Sequence, residues 1–500
     1  MKQRLANYRK IGSAPPVWSV FLPPPPPPPE FEHKKGLSRR THWRLNKKAK
    51  CLIASAAIAV VLISCFALLY KPSGSKGDVV TVPTGRTSAT PSTTPQTSAS
   101  PTPNIAGVIP SPTPNTQEAV YKHKPIGLIE SAKIINSTIW REVAANAWAY
   151  FQPGVGVDNI TGLPYASTGG LFKAFTDWDL GSYIEAIVDA QQIGLINSTG
   201  AWGSDARLDK VFTFLETRPL NTTTEWPFWF YNSTDGQGFM TNTTYASDGL
   251  DITDTGALFV ALNNLITYNA SWKQPVDNFV YNVYNNRSNY ADLVTGLQAY
   301  VNSNSIYGYL IVSGFACFWP QQLDNIPNQI MINIDNSPTI TTFNVTLPDV
   351  PITCEPLLLS IFELKNNDTR LMNLMNQVYL AQEACYNATL HYVAYSEGSG
   401  EGSYIYEWVV GPNGTAWMIT TSDGRAYSGN PIIYNKVAFS FLALYNSTYA
   451  RNTVICLEET LPTPTKGYYD GASIRGIELS ETTNIGNSMI LDAALYALTK

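Results

Sequence analysis

The stretch WDLGSYIEAIVDAQQIG, Trp178 to Gly194, carries the pattern that decides the fold. From Ser182 to Ile193 the side chains of Ile184, Ile187, Val188 and Gln191 recur at helical spacing on one face, and Gly194 follows as a stop signal. The same spacing returns along the chain. Thr255 to Ile266 aligns Leu258, Phe259, Leu262 and Leu265, and Ser488 to Leu498 aligns Ile490, Leu491, Ala494, Leu495 and Leu498. Lys436 to Tyr445 repeats it, and shorter helical candidates run over Ile139 to Phe151, Ala206 to Leu215, Val276 to Tyr284, Leu357 to Leu364 and Leu371 to Tyr386. The pattern predicts a mainly α domain over residues 118–500.

Two segments depart from it. Tyr404-Ile-Tyr-Glu-Trp-Val-Val, a Gly411-Pro-Asn-Gly414 turn and Thr415-Ala-Trp-Met-Ile-Thr-Thr read as a β-hairpin, with Asn413-Gly414 suited to positive φ. Gln329 to Val345 is also strand-prone and reads as a strand-containing insertion.

Upstream of this domain, Lys71 to Gln117 is rich in Ser, Thr, Pro and Gly, as in TSATPSTTPQTSASPTP. Such a segment buries too little apolar surface to offset the cost of ordering its backbone, and reads as a stalk over 71–117. Before it, Cys51 to Tyr70 is twenty residues with no formal charge, proline or glycine. At about 1.5 Å per residue a helix of that length crosses the roughly 30 Å hydrocarbon layer, so residues 51–70 are expected to span a membrane as a signal anchor. Residues 1–50 hold twelve Lys or Arg against Glu30 and Glu32, which puts the N-terminus in the cytoplasm and the C-terminal domain outside the cell. This basic tail also holds seven consecutive prolines, Pro23 to Pro29, a polyproline II segment that serves as a spacer or docks on a cytoplasmic partner.

Charge excludes one class of partner. Residues 118–500 contain 18 basic and 35 acidic residues, a formal charge of −17 that the overall −5 conceals, so nucleic acid is not expected to bind there. Thirteen Asn-x-Ser/Thr sequons all lie after residue 118, in keeping with an extracellular glycoprotein. Cys317, Cys354, Cys385 and Cys456 are either free thiols or two disulfides in any of three connectivities, and no CxxC pair points to zinc.

Histidine is scarce: only His123 and His391 follow the apolar segment, and His391 reads as a packed residue. Ser-His-Asp catalysis and multi-histidine metal sites have almost nothing to work with, and no nucleotide fingerprint is present, so neither metal nor cofactor is expected. Carboxylates beside aromatic residues are abundant: Asp177-Trp178-Asp179, Asp251-Ile-Thr-Asp254, Cys354-Glu355-Pro356, Ser396-Glu397 and Tyr468-Tyr469-Asp470. Paired acids next to rings suit glycoside hydrolysis, in which one carboxyl protonates the leaving oxygen, another activates water, and aromatic faces stack on sugars. Asp179 and Asp254 also suit helix capping, and Glu355 suits the first turn of a helix opened by Pro356. Glu397, in a glycine-rich loop, is the candidate general acid. Trp178, Trp408 and Trp417 are candidate sugar platforms, with burial in the core as the alternative.

The ordered series Trp178-Asp179-Leu-Gly-Ser-Tyr, Asp251-Ile-Thr-Asp254-Thr-Gly256, Glu355-Pro356-Leu-Leu-Leu, Ser396-Glu397, Asn413-Gly414-Thr-Ala-Trp417, Lys436-Val-Ala-Phe, Gly467-Tyr-Tyr and Asn487-Ser-Met-Ile-Leu491 resembles the family catalogued as domain of unknown function 3131. That family is similar to glucoamylase-like proteins that include endo-beta-1,2-glucanases. The resemblance spans roughly Asn146 to Leu498. It implies an (α/α)6 toroid with a cleft at one end of six inner helices, and a link to polysaccharide metabolism. Glu397 matches a family acid and is the expected general acid, with Asp179 or Asp254 as the base and Glu355 as a further catalytic candidate; Tyr469 and Asn487 join the substrate-binding candidates. A hydrolase of a neutral glucan is one expectation; a noncatalytic surface glycoprotein that keeps the toroid is the other. A lyase is disfavoured by the shortage of histidine.

Overall fold

The computed structural model describes residues 127–168, 173–221, 226–238, 250–281, 290–365 and 368–500. The expected basic tail, membrane span at 51–70 and stalk over 71–117 lie outside the described residues. Among the described residues no helix is long and apolar enough to cross a membrane.

Among the described residues twelve principal helices alternate between two roles. They are α1 (Ser137–Trp148), α2 (Asp177–Ile193), α3 (Ser204–Thr217), α4 (Ile252–Tyr268), α5 (Lys273–Tyr281), α6 (Ile306–Ala316), α7 (Asn325–Asp335), α8 (Cys354–Phe362), α9 (Thr369–Thr389), α10 (Asn435–Tyr445), α11 (Thr448–Thr460) and α12 (Asn484–Thr499). The even-numbered helices close a ring: α2 packs on α4, α4 on α6, α6 on α8, α8 on α10, α10 on α12, and α12 on α2. The odd-numbered helices form an outer layer, with α1 against α12, α3 against α2, α7 against α6, α9 against α8 and α11 against α10. The helical periodicity predicts a mainly α domain, and the closed inner ring with an outer layer is the arrangement that the family resemblance implies.

The sequence explains the layers. Outer helices are amphipathic; α5 buries Val276, Phe279 and Val280 and leaves its remaining face to solvent. Inner helices are covered on all sides, so α2 buries fifteen of its seventeen residues. Glycines bring the inner helices close. A Cβ on Gly314 of α6 would lie 2.0 Å from the Gly256 carbonyl oxygen of α4, and one on Gly181 of α2 would lie 3.0 Å from Leu258 Cα.

Two corrections follow. Helix α6, whose sequence is IYGYLIVSGFA, showed no usable periodicity because Ile306, Tyr309, Leu310, Ile311, Val312 and Phe315 are all buried within the ring. The expected strand-prone stretch from Gln329 begins as a helix: α7 buries Ile326, Ile330, Met331 and Ile334 at helical spacing, and only then do β3 (Thr339–Thr342) and β4 (Val345–Pro348) form a hairpin. Among the described residues Cys317, Cys354, Cys385 and Cys456 are free thiols.

The small sheets sit where the chain enters inner helices. A pair is formed by β1 (Ala174–Phe175), just before α2, and β2 (Tyr231–Asn232). The expected hairpin is present as β6 (Tyr404–Val410) and β7 (Ala416–Thr421), joined by β5 (Glu397–Ser399) into a three-stranded antiparallel sheet. Strand β6 is tied to the entry of α8 by the Ile352 N–H donating to the Val410 carbonyl at 2.8 Å. A last pair, β8 (Ile432–Tyr434) with β9 (Gly471–Ser473), leads directly into α10.

Candidate active site

Each inner helix brings its first turn to the same end of the ring, and each first turn carries a polar side chain. In α2 the N-cap is Thr176, whose hydroxyl accepts the Trp178 and Asp179 N–H groups at 3.1 and 3.4 Å, while the Asp179 carboxylate accepts the Thr176 N–H at 3.0 Å. This reciprocal capping box fixes Asp179. In α4 the cap is Asp251, accepting the Thr253 N–H at 2.8 Å, which leaves Asp254 free to receive the Trp229 indole N–H at 3.1 Å. The expectation that Asp254 itself caps the helix is thereby corrected. In α8, Glu355 is 1% exposed and ion-paired with Lys436 from the first turn of α10, with the Ser396 hydroxyl donating to it at 3.4 Å.

Glu397 completes the group from above. It is not in a loop: it opens β5, paired with Tyr406 across the ladder, and is 5% exposed. Its carboxyl receives the Tyr307 hydroxyl from the first turn of α6 and the Tyr404 hydroxyl at 3.2 Å. Around it lie Trp178, edge-on to Tyr307 with centroids 6.5 Å apart, and Trp408, also edge-on to Tyr307 and stacked on Tyr406 at 5.6 Å. Asp470 stands beside the acid strand, accepting the Ser399 N–H and the Thr483 hydroxyl, each at 2.9 Å.

Burial sets the protonation of these acids. Desolvation, aided by the nearby Glu355, pushes Glu397 up to about 8, against the opposing pull of Tyr307 and Lys436. Burial also lifts Asp179 to about 7, although its hydrogen bonds to Thr176 favour the charged form. Asp254 is raised by desolvation and by Asp251, with Asp179 contributing. Glu355 is raised by burial, and Lys436 opposes that rise. All four acids are thus shifted upward by shared burial, so the site favours protonated carboxyls, and Glu397, at about 8, holds its proton at neutral pH as a general acid must.

The structure thus brings Asp179, Asp254, Glu355, Glu397, Trp178 and Trp408 to one end of the ring. Three other candidates are occupied elsewhere. Trp417, at φ 58°, packs on Phe343 and Tyr395 and donates its indole N–H to Thr342 at 2.8 Å, bracing the β3–β4 hairpin. Asn487 is fully buried, accepting the Tyr468 N–H at 2.7 Å and donating to the Tyr468 and Thr483 carbonyls, so its amide is spent on backbone. Tyr469 lines a small crevice with Leu128, Asn146, Asn435 and Phe439. Sequence reasoning missed Tyr307, Tyr404 and Trp229 as site residues. Ser305, the N-cap of α6, was the available signal for Tyr307. Among the described residues no cluster of His, Cys, Asp or Glu is arranged to hold a metal ion.

The family model for the protein of unknown function DUF3131 matches residues 142–500. The chain belongs to the DUF3131 family. Among curated proteins none matches the chain in sequence. Solved structures do. A glucoamylase-like protein from Bacteroides caccae superposes with a TM-score of 0.51 at 13% identity, covering 73% of this chain and 95% of that one. An endo-beta-1,2-glucanase from Chitinophaga pinensis, solved with sophorotriose and glucose, gives 0.50 at 12% identity over 73% and 95%. At such identities the likeness establishes the fold: this DUF3131 protein is mainly helical and glycoside hydrolase-like in architecture.

Proposed function

We propose that this DUF3131 protein is a glycoside hydrolase acting on a neutral glucan or cell-surface polysaccharide, anchored by residues 51–70 with its helical domain outside the cell. The observation that carries this reading is the meeting of Glu397 with Asp179, Asp254 and Glu355 at the N-terminal ends of the inner helices. In this reading Glu397, protonated between Tyr307 and Tyr404, gives its proton to the glycosidic oxygen. Asp254 is the base in this reading, because Asp179 is held in its capping box and Glu355 is ion-paired with Lys436; to act so it must ionise against its burial and the neighbouring Asp251. Inversion requires about 6.5–9.5 Å between acid and base to admit water. Trp229, 38% exposed and bonded to Asp254, is the ring best placed to meet a sugar. The sugar chemistry of the Chitinophaga neighbour, which binds sophorotriose, makes β-1,2-glucan the first substrate to try.

One observation favours a noncatalytic role: Asp179, Glu355 and Glu397 are each at most 5% exposed, and one of the three is already ion-paired. A single assay separates the readings. Reducing ends released from a panel of glucans are compared for wild type and Glu397→Gln. The enzymatic reading expects release that falls by about 10²–10⁴ in the variant and an alkaline limb near pH 8 in wild type. No release from any glucan by wild type moves the assignment to a binding or envelope protein.

A further inference from the structure

A second group of carboxyls lies inside the ring, about 15 Å further along α2 than Asp179, counting ten residues of helix. It comprises Glu185 and Asp189 of α2, Glu363 at the end of α8, and Asp492 of α12, between 3% and 6% exposed. Asn264 of α4 donates to Glu185 at 2.6 Å and to the Glu363 carbonyl at 2.7 Å, so one amide links three inner helices. Asp189 and Asp492 face one another as a carboxyl pair, yet Oδ2 of each is buried without another hydrogen-bond partner.

Among the described residues no buried cation is paired with them. Lys365, which follows α8, is exposed. From α1, Arg141 is directed to the Ile193 carbonyl; from α3, Arg207 is spent on the Phe151 carbonyl and the Tyr183 hydroxyl. From α10, Lys436 is committed to Glu355 at the other end of the ring. Four ionised carboxylates at such burial would repel, opposed by the exposed Lys365 near Glu185, Asp189 and Glu363, and two facing carboxylate oxygens have no donor between them unless one is protonated. The geometry is not that of a metal site among the described residues.

We infer that Asp189 and Asp492 share a proton and that this acid-to-acid hydrogen bond clamps α2 to α12, making the ring proton-dependent: firm in acid and progressively loosened as the medium turns alkaline. The direction of the individual shifts agrees. Burial raises Asp189 to about 6 and Glu363 to about 8, and lifts Glu185 and Asp492 well above the usual carboxylate range. The sign follows from linkage: folded groups that hold protons more tightly than the unfolded chain contribute stability that is fully present below the ordinary carboxylate range near 4. That stability is lost as pH rises through the folded values of about 6 to 8. Each such proton changes the unfolding equilibrium by about tenfold per pH unit within that window.

The test is thermal and chemical unfolding of the full-length chain from pH 4 to pH 9, for wild type, Asp492→Asn and the reciprocal Asp189→Asn. An asparagine amide donates to the facing carboxylate at every pH, so the clamp loses its proton dependence. Wild type is expected to lose stability steadily above pH 5, and either variant to show a slope smaller by about tenfold in equilibrium constant per pH unit. Infrared spectra at pH 7 supply a second readout that does not depend on variant stability: wild type shows the C=O band of buried protonated carboxyls, and the variants show it diminished. Flat or rising wild-type stability between pH 5 and 8, an unchanged slope in both variants, or absence of the protonated-carboxyl band would each overturn the inference.

Discussion

Arg218→Met isolates the electrostatics that hold up the site. Arg218 is buried, with Nη1 2.5 Å from Asp177 Oδ1, and Nη2 donates to the Tyr290 hydroxyl at 2.8 Å. Its guanidinium also lies 5.4–5.5 Å from the ring centroids of Phe279 and Tyr231. Asp177 opens α2 directly before Trp178 and Asp179, and among the described residues it also accepts the Thr255 hydroxyl at 3.3 Å. Removing the arginine leaves a carboxylate that is 4% exposed and nearly unpaired. The cost is bounded by protonation: an aspartate of ordinary pKa near 3.9 takes up a proton at pH 7 for about 1.36 × 3.1, or about 4 kcal/mol. At pH 5 the same route costs about 1.36 × 1.1, or about 1.5 kcal/mol. Urea unfolding at the two pH values should therefore show a destabilisation smaller at pH 5 by about 2–3 kcal/mol. The companion Asp177→Leu/Arg218→Met double variant should recover most of the loss, since replacing both partners of a buried pair removes the stranded charge. A destabilisation independent of pH, or a double variant no better than the single, refutes the reasoning.

Two further outcomes bear on the ring and on the site. Gly314→Ala forces a methyl to within 2.0 Å of the Gly256 carbonyl, so α4 and α6 must separate; a loss of about 1–3 kcal/mol or more in urea unfolding is expected, and an unchanged midpoint would show that the two helices are not in close contact. Trp229→Ala removes an exposed ring bonded to Asp254; it should leave the thermal midpoint within a degree or two but raise KM about tenfold on any glucan the protein cleaves, and an unchanged KM would remove Trp229 from the substrate path.

Several parts of this arrangement were legible before any coordinates. The α2 and α4 segments announce themselves because Ile184, Ile187 and Val188, or Leu258, Phe259 and Leu262, recur at helical spacing, and the Asp-rich entries to both helices carry the site acids. The β6–β7 hairpin reads from its alternation and from Gly414, which does take positive φ at 72°. Helix α6 does not, since a helix buried all round has no polar face to mark its period; with it went Tyr307, the partner of Glu397. Glu397 was assigned to a loop because Gly398 and the glycines after it mask a three-residue strand whose pairing partner, Tyr406, follows a turn. Trp417 and Asn487 show the opposite error, in which residues of the right type are already committed to packing and to backbone.

Taken alone, the chain of letters determined the helical class, the excess of carboxylate over histidine, and the apolar segment whose length matches a bilayer, because periodicity, composition and length are local properties. Which acids meet was decided only in three dimensions. Asp179, Asp254, Glu355 and Glu397 come from four separate segments, and closure of the inner ring, a set of contacts between helices far apart in sequence, is what gathers them and sets their proton affinities through shared burial.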